Sequence, residues 1–545
     1  MVQGTWLYLG PPKDNHMAND MKTPPLVIFG LDGGDAGFIQ QWAQEGYLPT
    51  IASIMQRGCR GKISGPELMS TQGAWLSLFS GVSRSEHGYY YNRQLLPGTY
   101  DLRNVSVRDT HVLPFWSHLL DGSKKVAVID ALEAELLPGL PGVQLANWAV
   151  QQQYNSAIVP PSAEPASLLN DVHRQVGSPI QIEVFKPNSS FIEDLAAYRL
   201  MLKRIEEKGA LCRRLLAQDR CDLAVITFVE AHTAAHRLWD YRPEGIRHTD
   251  ATSEGCSLST ALRDVYQAID RELGLLLKQL PDETNVFIIS LFGMKDLYPT
   301  TGLIEAFCRQ LEYQVPSHGV PGSLSPLTLL RRTFGPGVRA RMSRFLPRRL
   351  QMRLETDRFR TETNWAKTKA FSIPALNTSF VRVNLRGREP HGIIEPGPEY
   401  ERLLSQIEAD LRQLVDVRSG KPAVERVIRT AEAFRCGPPS VLPDLSVEWK
   451  STPYFMDRVR HPKVELVQSR PQYNRSSYHT FSGFVTAAGP SIRAGGDLGE
   501  VSPLDFAPGF LSLMGEPFSQ RSTERHINPF SQHLSLKTGA PAMAG

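Results

Sequence analysis

Leu26-Val27-Ile28-Phe29-Gly30-Leu31, running straight into Asp32-Gly33-Gly34-Asp35, is the stretch whose reading decides the fold. An uncharged run of this kind suits a strand covered on both faces, as in a parallel sheet. The two glycines let the backbone turn sharply while the carboxylates leave the sheet, and a helical pattern through Phe38, Ile39, Trp42 and Leu48 follows. The same unit recurs along the chain. Strand-like runs at Lys125 to Ile129, Asp222 to Phe228 and Asn285 to Ser290 alternate with helical patterns such as Leu262 to Leu280. That order predicts an α/β fold, a mostly parallel sheet with helices on both faces. Ligands in such folds gather where strands end and helices begin.

Two strand ends carry candidate chemistry besides Asp32. After Phe228 the chain reads Glu230-Ala-His232-Thr-Ala-Ala-His236-Arg-Leu-Trp239. Histidines at i and i+4 lie one above the other on a helical turn, a spacing that lets two imidazoles grip one metal ion. It equally suits a surface histidine and a core-edge histidine on an amphipathic turn. Pro66 to Gly81 reads as a loop feeding a helix, with Ser70 and Thr71 near the first turn, where free N–H groups favour an oxyanion or a phosphate. Either hydroxyl would also serve as an ordinary N-cap.

Composition bounds the partners. A formal net charge of +4 over 545 residues, with both signs mixed, gives no case for nucleic acid. Cys59, Cys212, Cys221, Cys256, Cys308 and Cys436 show neither a framework spacing nor a C-x-x-C pair, which fits thiols in a reducing compartment. Met1 to Thr23 is broken by Lys13, Asp14, Asn15 and His16 and lacks the apolar stretch of a secretory signal, and no later run approaches the roughly 20 apolar residues of a membrane span. A cytoplasmic location is the expectation.

Leu31-Asp32-Gly33, then Thr71 and Gly81, then Glu86-His87-Gly88, then the paired histidines, then Tyr478-His479-Thr-Phe-Ser-Gly483 together resemble the type I phosphodiesterase and nucleotide pyrophosphatase family of the alkaline phosphatase superfamily. The resemblance spans most of the chain and implies an alkaline phosphatase-like core. It implies that Asp32 binds metal, that Thr71 is the nucleophile, and that His479 binds metal. Val381 to Gly392 and Leu442 to Trp449 also look like family segments, with no role assigned.

The chain departs from the family at two places. Where the family continues the strand ending at Ser290 with Asp-His-Gly-Met, supplying two ligands, this chain has Leu291-Phe292-Gly293-Met294. The paired motif, usually Asp-x-x-x-His, opens here with His232, and Glu230 offers an alternative oxygen. His232, His236 and His479 make a three-histidine set, a sufficient protein shell for zinc with its fourth position open. The second site keeps only Asp32 and Thr71, with Asp35, Asp296 and His87 as substitutes, too few donors for a divalent ion. One divalent ion, zinc by ligand type, is therefore expected rather than two. Thr71 would lose the cation that lowers the cost of its alkoxide.

The implied function is a metal-dependent hydrolase or transferase acting through Thr71 on a small-molecule phosphate or sulfate ester. The contrasting reading is a catalytically silent relative kept as a binding or scaffold module. The organisation expected is a loose tail over 1–24, the first part of the core over 25–318, a basic insertion over 319–365, a lid or return segment with the rest of the core over 366–515, and a loose tail over 516–545. Arg331 to Arg353 contains many arginines and no acid between Arg331 and Leu350, interleaved with Phe334, Met342, Phe345 and Leu346. Such an element suits a solvated helix of an insertion, a weak contact with an anionic membrane, or the holding of an acidic substrate.

Overall fold

The computed structural model describes residues 23–518 except 121, 151–152, 155–156, 185–188, 219, 246, 248–251, 254–255, 297–299, 318–355, 376–377 and 471–475. The arginine-rich stretch from Arg331 to Arg353 and nearly all of both terminal tails lie outside the described residues.

The charge-free run opens the chain's central strand. Leu26–Leu31 pairs in parallel with Leu223–Phe228 on one side and Asn285–Ser290 on the other. The sheet has nine strands, in the order Asp497–Val501, Cys59–Ile63, Gly483–Ala488, Asn285–Ser290, Leu26–Leu31, Leu223–Phe228, Val126–Ile129, Gly142–Ala146 and Ser162–Glu164. Parallel pairing dominates, and Gly483–Ala488 runs antiparallel to both of its neighbours.

Alternation along the central strand explains why both faces are covered. Val27, Phe29 and Leu31 face one apolar layer, built with Ile39 and Trp42 of the helix Ala36–Gln44, Met201 and Ile205 of Phe191–Gln218, and Val265 and Ile269 of Ala261–Leu277. Leu26 and Ile28 face the other, against Trp75 and Phe79 of the helix Ala74–Ser80 and Phe506 and Phe510 of Phe506–Leu513. Each such side chain, fully buried, stabilises by roughly 1.5–3 kcal/mol.

A second, antiparallel sheet is built by Ala370–Ile373, Ser379–Val383, Leu445–Trp449 and Val424–Arg429. The helices Thr301–Gln310 and Pro398–Arg412 share its core, through Leu303, Phe307, Leu403 and Ile407. The two segments left without a role in the sequence meet here. Arg388 donates to Asp444 at 2.7 and 2.8 Å, and Asp444 also accepts from Tyr400 and the Val383 N–H, so this buried carboxylate fastens the sheet. The chain then returns through Ser477–His479, which pairs antiparallel with Met294–Asp296 and delivers His479 to the main sheet's strand ends.

No helix among the described residues is long and apolar enough to cross a membrane. No disulfide joins the six cysteines.

Candidate metal centre and nucleophile loop

His232 and His236 sit on the helix Glu230–Leu238, which starts directly after the strand Leu223–Phe228. The i, i+4 spacing puts their rings on one face, with centroids 4.6 Å apart. His479 arrives from the other end of the chain, 4.7 Å from the ring of His232 and 5.3 Å from that of His236. One ligating nitrogen from each of the three lies within 4.8 Å of the others.

Asp32, at the tip of the neighbouring strand, fixes how His232 is used. Its Oδ2 lies 2.6 Å from Nδ1 of His232. A carboxylate only accepts, so Nδ1 carries a proton, and in the neutral ring the lone pair then sits on Nε2. That Nε2 is buried with no hydrogen-bond partner among the described residues. A buried acceptor left without a donor is costly in an apolar core and is the expected state of a metal ligand. His236 presents its Nδ1 toward Ser477 Oγ at 3.4 Å. The donor set is three imidazoles with one carboxylate behind them, and it fits a tetrahedral divalent ion with an open fourth position.

Two local features bring Asp32 and His232 together. Gly33 has φ of +66°, and a Cβ on it would lie 2.8 Å from the Cα of His232, so only glycine permits this approach. Tyr266, on the helix Ala261–Leu277, receives the Asp35 N–H at 2.9 Å and so braces the turn.

The loop that bears Thr71 is held by Arg84. This buried guanidinium donates to the carbonyls of Glu67, Ser70, Gln72 and Tyr89. Thr71 itself is part-exposed, and its hydroxyl donates to Gln72 Oε1 at 3.2 Å. Neither Ser70 nor Thr71 caps the following helix: the N-cap of Ala74–Ser80 is Gly73, with φ of 85° and no side-chain cap of its own. Glu133 takes the role instead, accepting from the N–H groups of Gly73 (2.7 Å), Trp75 (3.1 Å) and Leu76 (3.2 Å). Burial pushes the Glu133 carboxyl up to about 7, against the pull of the Gly73 and Leu76 N–H groups and Arg84, and with some help from Asp32.

Trp75 ties this loop to the histidines, its indole N–H donating to Asp32 Oδ1 at 3.2 Å. Glu133 and Trp75 escaped the sequence reading. The rule that singled out Asp32 and His232 covers Glu133 as well, because Glu133 follows the end of the strand Val126–Ile129.

The other candidate donors are engaged elsewhere. Glu230 is turned away from the cluster, with one oxygen 2.6 Å from Arg204 Nε and the other accepting the Val229 N–H. Its offer as an alternative ligand is thus withdrawn by an ion pair that buries both partners. Asp35 caps the helix Ala36–Gln44 through the Phe38 N–H and accepts from the Met294 N–H at 3.0 Å. Asp296 accepts from the indole of Trp239 at 2.6 Å and pairs with Arg242. His87 is buried between Ser77 Oγ and the Tyr89 N–H, and burial holds it well below the ordinary imidazole range and therefore neutral.

At the end of the strand Asn285–Ser290, Leu291 and Phe292 are 0% and 2% exposed. The Phe292 ring meets that of His479 edge-on at 5.9 Å. The turn is stitched to its surroundings by Ser290 Oγ on the Phe292 carbonyl and by the Gly293 N–H on Thr480 Oγ1.

Residues 26–350 match the model of the type I phosphodiesterase / nucleotide pyrophosphatase family. The chain belongs to that family. Membership makes it a phosphodiesterase-type hydrolase by class, in a family whose members depend on divalent metal ions. Two solved structures are similar across nearly the whole length. Phosphonoacetate hydrolase from Sinorhizobium meliloti 1021, in complex with phosphonoformate, is 14% identical over 90% of this chain and 95% of that one, with a TM-score of 0.48. Human ectonucleotide pyrophosphatase / phosphodiesterase 5 is 10% identical over 94% of this chain and all of that one, with a TM-score of 0.45. No curated protein matches the chain.

Proposed function

We propose that this family member hydrolyses or transfers a small-molecule phosphate or sulfate ester with a single divalent ion, zinc by ligand type, and with Thr71 as nucleophile. The observation that carries the reading is the convergence of His232, His236 and His479, with the Nε2 of His232 without a hydrogen-bond partner among the described residues and its Nδ1 committed to Asp32. His232, His236 and His479 would hold the ion, which would supply Lewis-acid stabilisation of charge on the ester oxygens. Asp32 acts through His232, receiving its Nδ1–H and fixing the ring so that Nε2 faces the cluster. Thr71 offers a part-exposed hydroxyl on a loop whose carbonyls Arg84 holds in place. Attack by Oγ1 on phosphorus would form a new P–O bond as the P–O bond to the leaving group breaks, the leaving oxygen keeping the electron pair and taking a proton from solvent to which Thr71 gives its own; water attacking the Thr71 ester would then release the phosphate and restore the hydroxyl.

A second reading has its own observation. Leu291 and Phe292 fill the strand end where the family supplies two ligands, which favours a silent relative that keeps the fold as a binding module. Elemental analysis of the purified chain, paired with hydrolysis of aryl phosphate mono- and diesters, phosphonates and sulfates, separates the two. About one equivalent of zinc with turnover of one ester class supports the hydrolase; no metal and no turnover would establish the silent relative.

A further inference from the structure

The three-histidine centre is supported from behind by contacts that lead away from it in a single line. Asp32 divides its two oxygens: Oδ2 receives the Nδ1–H of His232, and Oδ1 receives the indole N–H of Trp75. Trp75 is 2% exposed. Its ring stacks on Phe79 at 5.5 Å and lies so close to the central strand that a Cβ on Gly30 would sit 3.1 Å from it. The indole therefore has no room to swing. Its backbone is fixed in turn by Glu133, whose two oxygens are spent on the N–H groups of Gly73, Trp75 and Leu76. Glu133 reaches them from a left-handed backbone with φ of 51°, a conformation that costs a non-glycine residue free energy and persists only where its surroundings impose it. With the first N–H groups of this short helix already satisfied by the chain itself, the helix serves as a mount.

We propose that Trp75 and Glu133 are positioning residues of the metal centre: Glu133 fixes the start of the helix, Trp75 fixes Asp32, and Asp32 fixes the tautomer and ring angle of His232. The inference rests on the reading of His232, His236 and His479 as metal ligands. Neither residue touches a reacting atom. Their effect is on how tightly the ion is held, because a ligating imidazole is oriented by the group that receives its other N–H, and disturbing that outer support typically costs 10–100-fold in metal affinity. A phenyl ring has no N–H, so Trp75→Phe deprives Asp32 of one of its two fixed donors. Glu133→Gln keeps the shape but replaces an acceptor oxygen with an NH2 that faces N–H donors.

The experiment measures zinc affinity of the full chain by competition with a chromogenic chelator, together with the side-chain nitrogen NMR shifts of His232 in the zinc-free protein. Trp116→Phe is the control: Trp116 is fully buried on the same face of the sheet and packs on Phe79, and its indole N–H has no hydrogen-bond partner among the described residues. The expected result is a protonated Nδ1 on His232 in the parent, a 10–100-fold weaker zinc affinity with a mixed tautomer in Trp75→Phe, and a smaller loss in Glu133→Gln. Trp116→Phe should melt at lower temperature and hold zinc as the parent does. Parental affinity in Trp75→Phe, or equal losses in Trp75→Phe and Trp116→Phe, would overturn the inference alone. A parent that binds no zinc would overturn the metal reading and the inference with it.

Discussion

The strands Leu223–Phe228 and Asn285–Ser290 flank Leu26–Leu31 in the same parallel register, yet they end in opposite chemistry. The first runs into a helix that presents His232 and His236. The second runs into Leu291 and Phe292, both buried, with Phe292 packed edge-on against the one histidine that reaches the site from afar. Identical backbone frames thus carry a polar, ligand-bearing end on one side and an apolar plug on the other. The sheet supplies positions, and the segment that follows each strand decides what those positions do.

The contrast breaks most completely if the histidine end holds no ion. His236→Ala should abolish both bound zinc and turnover, since two imidazoles grip zinc far less well than three, and elemental analysis after gel filtration reads it directly. A variant that retains a full equivalent would remove His236 from the ligand set.

Thr71 offers the next largest effect. Thr71→Ala should lower turnover by a factor on the order of 10³ or more while the zinc content stays that of the parent. Because Gly73 and Glu133 cap the helix, the same change should cost under about 0.5 kcal/mol in urea denaturation rather than the 0.5–2 kcal/mol of a lost N-cap. Full activity in the alanine variant would exclude Thr71 as nucleophile.

The apolar end can be tested by making it resemble the family. Leu291→Asp combined with Phe292→His places an uncompensated carboxylate in a buried pocket and removes packing against His479, so the metal-free double variant should lose several kcal/mol. Excess zinc or manganese should restore part of that stability and raise phosphodiester hydrolysis if an ion enters beside Asp32. Melting curves that ignore added metal would mark the plug as built for another purpose.

The smallest effect concerns the support behind the histidines. The Glu133 carboxyl lies near 7 in the folded chain against an ordinary value of about 4.5. A raised carboxyl binds its proton more tightly when folded, so its contribution is complete below about 4.5 and is lost as pH rises through about 7. Glu133→Gln should therefore flatten stability across that window by roughly 2 kcal/mol, measured by urea denaturation at pH 5 and pH 8. Parallel pH profiles for parent and variant would refute the shift.

Much of the frame was legible because burial on both faces leaves an uncharged run. Leu26–Leu31 and Asn285–Ser290 form strands over the ranges read from the sequence, and the helix Ala261–Leu277 starts one residue before the run read as Leu262 to Leu280 and ends before it does. The nucleophile loop was less legible. Its cap comes from Glu133, remote in sequence; position after a strand end marks Glu133 as a candidate, but no local pattern says which helix its carboxylate will reach. Glu230 misled for the same reason: its carboxylate is as close to the cluster in sequence as His232 is, but a buried Arg204 on a separate helix claims it.

The sequence by itself determined the parallel sheet, the strand ends at which chemistry collects and the i, i+4 histidine pair, because each of these is written in local spacing and side-chain type; the family resemblance added that Leu291 and Phe292 stand where two metal ligands are expected. Only the tertiary structure decided that His479 completes the cluster's geometry, that Asp32 spends one oxygen on His232 and the other on Trp75, and that Asp35, Asp296, His87 and Glu230 are committed elsewhere. Hydrogen bonds to buried polar groups are settled among residues far apart in the chain, and which donor reaches which acceptor depends on packing that no local spacing encodes.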